Sequence, residues 1–253
     1  MASKRLIGIL TVRHGRLCKS YGYAAWRPAG DLTTALRNLD RWSADEIVVL
    51  DISRRPGLDP AVLRQIADAK VATPLAYGGG IRGVADVEQL MALGCDRFVV
   101  ESVLYEDPVT LQNIADLAGH QALIGSIPLC RTPGGWALWR PYPPAEGANF
   151  ESLDAILRHV ARQPVSEYFV TAVGTEGRAG GFPLELVDAL RGLPESSVIW
   201  FGGLDCATAS HCLREPVTAA VAFGNLLHDS ELALPHLRAE LPTGTVRPVR
   251  LSA

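Results

Sequence analysis

Two glycine-rich stretches carry the most suggestive chemistry in this chain. "LAYGGGIRG" covers 75–83 and "WFGGLDC" covers 200–206. Each follows an apolar run and precedes a helix-like segment. A helix start offers free N–H groups and the positive end of its dipole, and glycine lets an anion come close to them. A phosphate is the ligand class this pattern invites. The plainer reading is that the glycines only ease strand–helix packing. Residues 74–104 run parallel to 197–227, so that Gly79 and Gly80 match Gly202 and Gly203, and Ser102 matches Asn225. Two such turns on opposite sides of one mouth suit a ligand with a phosphate at each end. "GTEGRAGG" (174–181) adds backbone donors, Gly177 among them.

These turns need a frame. Apolar runs recur at 5–12, 46–52, 73–78, 97–102, 122–127, 167–173, 197–202 and 219–224. Runs apolar on successive residues suit strands buried on both faces, as in a parallel sheet. Between them, 84–94 places Val84, Val87, Leu90 and Met91 on one helical face with Gly94 as a stop, and 149–163 does the same with Leu153, Ile156, Leu157 and Val160. Eight β–α pairs without an internal linker predict one (β/α)8 barrel domain over 1–253, built from two similar halves. The doubly wound sheet is the alternative. The long break at 131–149 reads as an excursion on the active-site side with a small hairpin at Gly134-Gly135, and 242–253 as a tail, either loose or packed across the barrel bottom.

Composition narrows the function. Hydrophobic residues make up 48% of the chain, enough for a large core, and the net charge of −3 argues against a nucleic-acid or acidic-membrane binder. The five cysteines form no CxxC and read as free thiols of a reducing cytosol. The six histidines lack metal-ligand spacing, so no metal and no cofactor are expected. The N-terminal apolar run is too short for a signal peptide or a membrane span.

"VRHGRLCKSY", "GDLTTALRNLDRWSADEIVVLDIS", "AYGGGIRG", "TAVGTEGRAGGF" and "FGGLDC" together resemble the cyclase subunit of imidazole glycerol phosphate synthase, of histidine biosynthesis, over about residues 4–240. The resemblance implies a duplicated half-barrel, a bis-phosphate ligand and a glutaminase partner on the bottom face, whose ammonia passes up through the barrel. It matches Lys19 to a lysine in a mobile active-site loop, Asp51 to the acidic residue closing the second strand, and Glu176 to an aspartate after the sixth. It assigns Gly202, Gly203, Gly224 and Asn225 to a second phosphate cradle. It matches Arg5, Glu46, Arg97 and Glu167 to a charged ring that gates ammonia, and Asp96 to a partner-docking aspartate. Ordinary salt bridging at strand starts is the plainer reading of that ring.

The departures are as specific. The family's two catalytic aspartates fall on Thr11 and Pro128, and its asparagine at the first phosphate on Glu101. Threonine is no proton acceptor near neutral pH and proline has no ionisable side chain. General acid–base groups contribute about 10²–10⁴-fold each, so ordinary cyclase activity is expected to be weak or absent. A carboxylate at Glu101 repels a phosphate unless a cation intervenes. Cys130 and Arg131 follow the fifth strand, in reach of substrate, although an inert thiol is the plainer reading of Cys130. Trp26, Trp136, Trp139 and Trp200 lie near loop or strand ends and read either as an aromatic rim or as ordinary packing, and Trp200 and Phe201, before the second glycine pair, are expected to narrow the mouth. Three readings stay open: an ammonia-conducting synthase subunit with altered chemistry, acting on a phosphorylated or nucleotide-linked metabolite or with a third protein at the mouth; a conventional cyclase with a compensated site; and a non-catalytic barrel that docks and activates a glutaminase.

Overall fold

A computed structural model describes residues 3–139, 152–178, 180–195, 197–229 and 231–249. In chain order the elements are β1 (Arg5–Arg13), β2 (Arg16–Tyr21), β3 (Ala25–Gly30), α1 (Leu32–Arg41), β4 (Glu46–Asp51), α2 (Pro60–Ala69), β5 (Leu75–Gly78) and α3 (Val84–Ala92). They continue with β6 (Arg97–Val100), α4 (Ser102–Glu106), α5 (Pro108–Ala118), β7 (Leu123–Thr132), β8 (Gly135–Leu138), α6 (Leu153–Val160) and β9 (Glu167–Ala172). The last are α7 (Glu185–Ala189), β10 (Val198–Phe201), α8 (Cys206–Arg214), β11 (Thr218–Phe223) and α9 (Ala233–Glu240).

The parallel strands run β1-β4-β5-β6-β7-β9-β10-β11, and β11 returns to pair with β1 from Arg5↔Ala220 to Gly8↔Phe223. That closure makes a (β/α)8 barrel and excludes the open sheet. Each of the eight predicted strands is present. Their continuous apolar character follows from two cores. Alternate residues such as Ile7, Ile9, Val48, Val99, Ile124, Phe169 and Ile199 fill the lumen. Their neighbours, such as Leu6, Leu10, Ile47, Phe98, Val170 and Trp200, pack outward against the helices.

Several expectations are refined. Two hairpins extend the barrel strands. The β1–β2 turn is His14-Gly15, with φ +49° and +74°, the left-handed pair a tight two-residue hairpin requires. Pro28 sits in β3, at the edge of the sheet, where a missing N–H does no harm. The β7–β8 hairpin pairs Thr132 with Gly135, so its turn is Pro133-Gly134 and Gly135 opens β8. On α3 Val87 and Leu90 are buried, while Met91 is 44% exposed, so the apolar face is narrower than its period suggests. Gly94, at φ +84°, follows the end of that helix as its stop. The helix of 149–163 is observed from Leu153 to Val160, capped by Ser152; 149–151 and the excursion at 140–149 lie outside the described residues. Of the two readings of the tail, packing across the barrel bottom holds up to Arg247 and looseness does not. Val246 bridges Lys4, and Arg247 N donates to Lys4 O at 3.1 Å, beside the start of β1 on the barrel floor.

The repeated glycines have a steric cause. Gly79 has φ +103°, and a Cβ there would lie 2.1 Å from the Asp51 carbonyl oxygen; Gly202 has φ +104°, and its Cβ would lie 2.5 Å from the Ala172 oxygen. In both halves the neighbouring strand's own backbone makes the close approach. Gly79→Ala is expected to cost at least about 2 kcal/mol in urea unfolding, from the clash and the left-handed backbone together. Gly119, at φ +82° in open space, carries the backbone penalty alone, so Gly119→Ala is expected to cost about 1 kcal/mol. Equal costs would contradict this assignment.

Candidate functional site

The floor of the barrel is a closed ring of alternating charge. Arg5 Nη2 lies 2.6 Å from Glu167 Oε2 and Arg5 Nη1 lies 3.3 Å from Glu46 Oε2. Arg97 Nη1 completes the circuit at 2.8 Å from Glu167 Oε2 and 3.4 Å from Glu46 Oε1. The four side chains converge because each opens its strand one register step below the first lumen residue. Burial works against charge at both Arg5 and Glu46. For Arg5 the two carboxylates outweigh it and raise the guanidinium pKa. Glu46 is more deeply enclosed, and burial holds its carboxyl above the usual range despite Arg5 and Arg97. Asp96, exposed beside Arg97, turns Oδ2 to the Leu75 N–H at 2.9 Å and so ties the start of β5. Above the ring the lumen is apolar up to Phe201 and Ala222.

At the mouth Thr11 and Pro128 are buried and carry no ionisable group. Glu176, only 2% exposed, accepts from Ser20 Oγ at 3.0 Å and from the Tyr23 N–H at 3.2 Å. Burial raises its pKa, and these donors only partly restore it. Lys19 lies on β2 rather than in a loop and forms an ion pair with Asp229. The Asn225 amide spends both donors on backbone oxygens, Ser20 O at 2.7 Å and Gly177 O at 3.0 Å. These contacts staple the β2–β3 hairpin over the mouth. They also place Tyr23 among the lumen residues, with burial and then the Glu176 charge raising its phenol pKa.

Two cavities flank this centre, one per half. Gly79, Gly80 and Ser102 line a cavity of about 340 Å³ together with Asp51 and Glu101. Gly177, Gly203, Gly224 and Asn225 line one of about 40 Å³; Gly202 precedes it. The Asp51 carboxylate accepts from the Ser53 N–H at 2.8 Å, and Glu101 accepts from Ser126 Oγ at 2.8 Å. The fitted glycine pairs, equivalent in backbone and contacts, thus stand at two unequal sites.

Other candidates fall elsewhere. Burial raises the Cys130 pKa, so it is a thiol at neutral pH, and Arg131 pairs with Glu185 at 3.0 Å. Trp200 does not narrow the mouth: it is fully buried in the outer core, its Nε1 donating to Thr218 Oγ1 at 2.8 Å, because it points outward on β10. Phe201 does reach the smaller cavity, and Trp139 the larger. Trp26 stacks with Arg13 and Trp136 with Arg131. The described cysteines are free thiols, three buried and two half-buried. Among the described residues no cluster of His, Cys, Asp or Glu is placed to hold a metal, and no helix is long and apolar enough to cross a membrane. Tyr23, Asp229, Arg54 and Arg82 escaped the sequence reading. Gly22-Tyr23 carries a turn signal, but nothing local marks Asp229, whose partner is distant in sequence.

A closed barrel with an alternating charge ring below and twin glycine turns above defines a (β/α)8 barrel with two similar halves. The chain belongs to the histidine biosynthesis protein family, whose model matches residues 5–233. Curated relatives include imidazole glycerol phosphate synthase subunit HisF of Trichormus variabilis, 30% identical over 265 residues and covering all of both chains. The proteins of the same name from Caulobacter vibrioides and Beutenbergia cavernae are 29% and 28% identical, covering 100% and 94% of this chain and 98% and 95% of their own.

Glu176→Gln keeps the acceptor oxygen and removes the buried charge. Because the folded pKa is raised, ionised Glu176 disfavours folding above its unfolded value of 4.5. The variant is therefore expected to melt higher than wild type at pH 7.5, with the difference vanishing as pH falls below that value. A lower melting point at pH 7.5 would contradict the assignment.

Proposed function

We propose that this chain is the barrel subunit of a soluble cytoplasmic complex, taking ammonia from a glutaminase docked on its floor. It supports amination of a phosphorylated or nucleotide-linked metabolite at the mouth, by a chemistry that does not use the cyclase's two aspartates. The observation that carries this reading is the closed Arg5–Glu46–Arg97–Glu167 ring beneath an apolar lumen. Neutral ammonia crosses an apolar passage at far lower cost than ammonium. Long arginine side chains can swing to open such a ring, and exposed Asp96 offers a docking contact beside it. At the mouth, Lys19 stabilises developing negative charge once released from Asp229. Glu176, with its raised pKa, and Asp51 are the carboxyl groups left for proton transfer. The glycine turns hold the phosphate, and a third protein at the mouth is an alternative source of the acceptor.

A second reading has one specific observation behind it. Tyr23 fills the mouth and Lys19 is engaged by Asp229, as suits a barrel that activates a glutaminase without chemistry of its own.

Pull-down from the native source, followed by glutamine hydrolysis with and without the barrel, tests docking. Hydrolysis is expected to rise only in the complex. Turnover of the ordinary cyclase substrate with ammonium salts is expected near background, and to rise by about 10²-fold or more when Thr11→Asp and Pro128→Asp are combined. Ordinary cyclase turnover by the wild type would defeat the altered-chemistry reading.

A further inference from the structure

Charge is unevenly spread along this chain. Its net charge is −3, yet its first acidic residue is Asp31. The strands β1, β2 and β3 therefore hold Arg5, Arg13, His14, Arg16, Lys19 and Arg27 with no carboxylate among them. Arg5 is engaged in the floor ring and Lys19 with Asp229. The other arginines gather toward one end of the β1–β2–β3 ribbon. Arg13 pairs with Arg16 across the β1–β2 turn, and Leu17 and Cys18 pair with Gly30 and Pro28 of β3. The Gly15 carbonyl in that turn accepts from Gln65 Nε2 at 2.9 Å, which fixes this end against α2. Trp139 stands at the opposite end, beside Tyr23.

The arginines are held by aromatic rings rather than by acids. Arg13 lies 5.6 Å from the centre of the Trp26 ring and Arg27 lies 5.8 Å from that of Tyr21, while His14 meets Trp26 edge-on. His14, Arg16 and Arg27 are exposed, and Arg13, Tyr21 and Trp26 are half-buried. Among the described residues no carboxylate pairs with Arg13, Arg16 or Arg27. The acids at the base of the ribbon cap helices instead. Asp31 accepts from the Thr34 N–H at 2.7 Å, and Asp59, beside Gly15, accepts from the Ala61 N–H at 2.9 Å. Stacked guanidiniums lose little freedom on binding, and arginine with aromatic side chains is the composition enriched at protein interfaces. Pro28 removes one N–H from the free edge of β3 and Arg27 adds a charge to it, so recognition there runs through side chains rather than strand addition.

Resting on the reading of the mouth as the acceptor site, we propose that Arg13, His14, Arg16, Trp26 and Arg27 form a docking surface for an acidic face of a second protein. The ribbon is held across the mouth by Glu176 and Asn225, so a partner seated on it stands beside the entry to that site. The negative balance of the whole chain favours a protein over a nucleic acid, which is drawn to broadly positive domains. The exposed large apolar side chains, Met91, Val109, Leu117, Leu232 and Val249, all lie outside the ribbon, which disfavours a bilayer surface.

Fluorescence anisotropy of labelled poly-L-glutamate, titrated with the barrel alone, tests this without glutaminase or acceptor, so it stands or falls apart from ammonia delivery. Wild type is expected to bind the probe, about tenfold more weakly when salt rises from about 50 to about 200 mM. Arg16→Glu combined with Arg27→Glu is expected to weaken binding by about tenfold or more. Arg162→Glu combined with Arg214→Glu, at exposed positions after α6 and in α8, makes the same change in net charge. That control is expected to stay within about twofold of wild type. An unchanged melting temperature confirms that the ribbon variant is folded; if it is lost, Arg16→Gln with Arg27→Gln takes its place. Equal losses in both double variants, or no binding by wild type at the lower salt, overturn the proposal. Tighter binding of oligo-dT or of phosphatidylserine vesicles than of poly-L-glutamate overturns it too, by naming a different partner.

Discussion

Closure of the barrel brings four charged side chains into contact at its floor, and much else follows from that ring. The β11–β1 pairing sets Arg5 in register with the starts of the neighbouring strands, and Arg5 and Arg97 then face Glu46 and Glu167 across the lumen. Burying such charges is costly, and an apolar floor of similar volume would hold a barrel as well or better. Once present, however, each charge needs its partners: removing one member of a buried pair typically costs about 3–5 kcal/mol. Stability therefore explains why the ring is complete, but not why a ring is there. Under the proposed function, a polar closure below an apolar lumen, made of side chains long enough to move, serves as a gate.

The mouth differs from the floor. There the positions that the resemblance matches to the cyclase family's aspartates are Thr11 and Pro128, and the β2–β3 hairpin is held across the opening by Glu176, Asn225 and the Lys19–Asp229 pair. The proposed function rests on this contrast: a ring suited to delivery below and no ionisable side chain at Thr11 or Pro128 above. The two glycine turns are equivalent in backbone, whereas the cavities they stand beside differ in size.

The strands were legible in the sequence because a parallel barrel buries both faces, leaving runs such as "EIVVLDI" apolar throughout. The half-barrel repeat was legible because backbone crowding at Asp51 O and Ala172 O permits only glycine at 79 and 202. The family resemblance supplied the ring residues; their contacts are made across strands far apart in sequence. The hairpins of β1 with β2 and of β2 with β3 were missed because "RLCKSY" and "AWRPAG" are short, although His14-Gly15 announces the first turn; the β7–β8 hairpin was legible in Gly134-Gly135. Trp200 misled because a strand's last residues alternate between mouth and outer core, and its side chain takes the outer one. The lining of the two cavities was out of reach, since Arg54, Arg82 and Asp229 enter from separate loops.

The central claim is that nitrogen reaches the mouth through the ring rather than from solvent. The direct measurement supplies the glutaminase complex with amide-15N glutamine in excess unlabelled ammonium, together with the phosphorylated metabolite pool of the native source. Mass spectrometry then reads the aminated product. The account predicts product enriched in 15N, with the label diluted toward bulk when Arg97→Ala breaches the floor. Product carrying bulk nitrogen in the intact complex, or label unaffected by opening the ring, would contradict it.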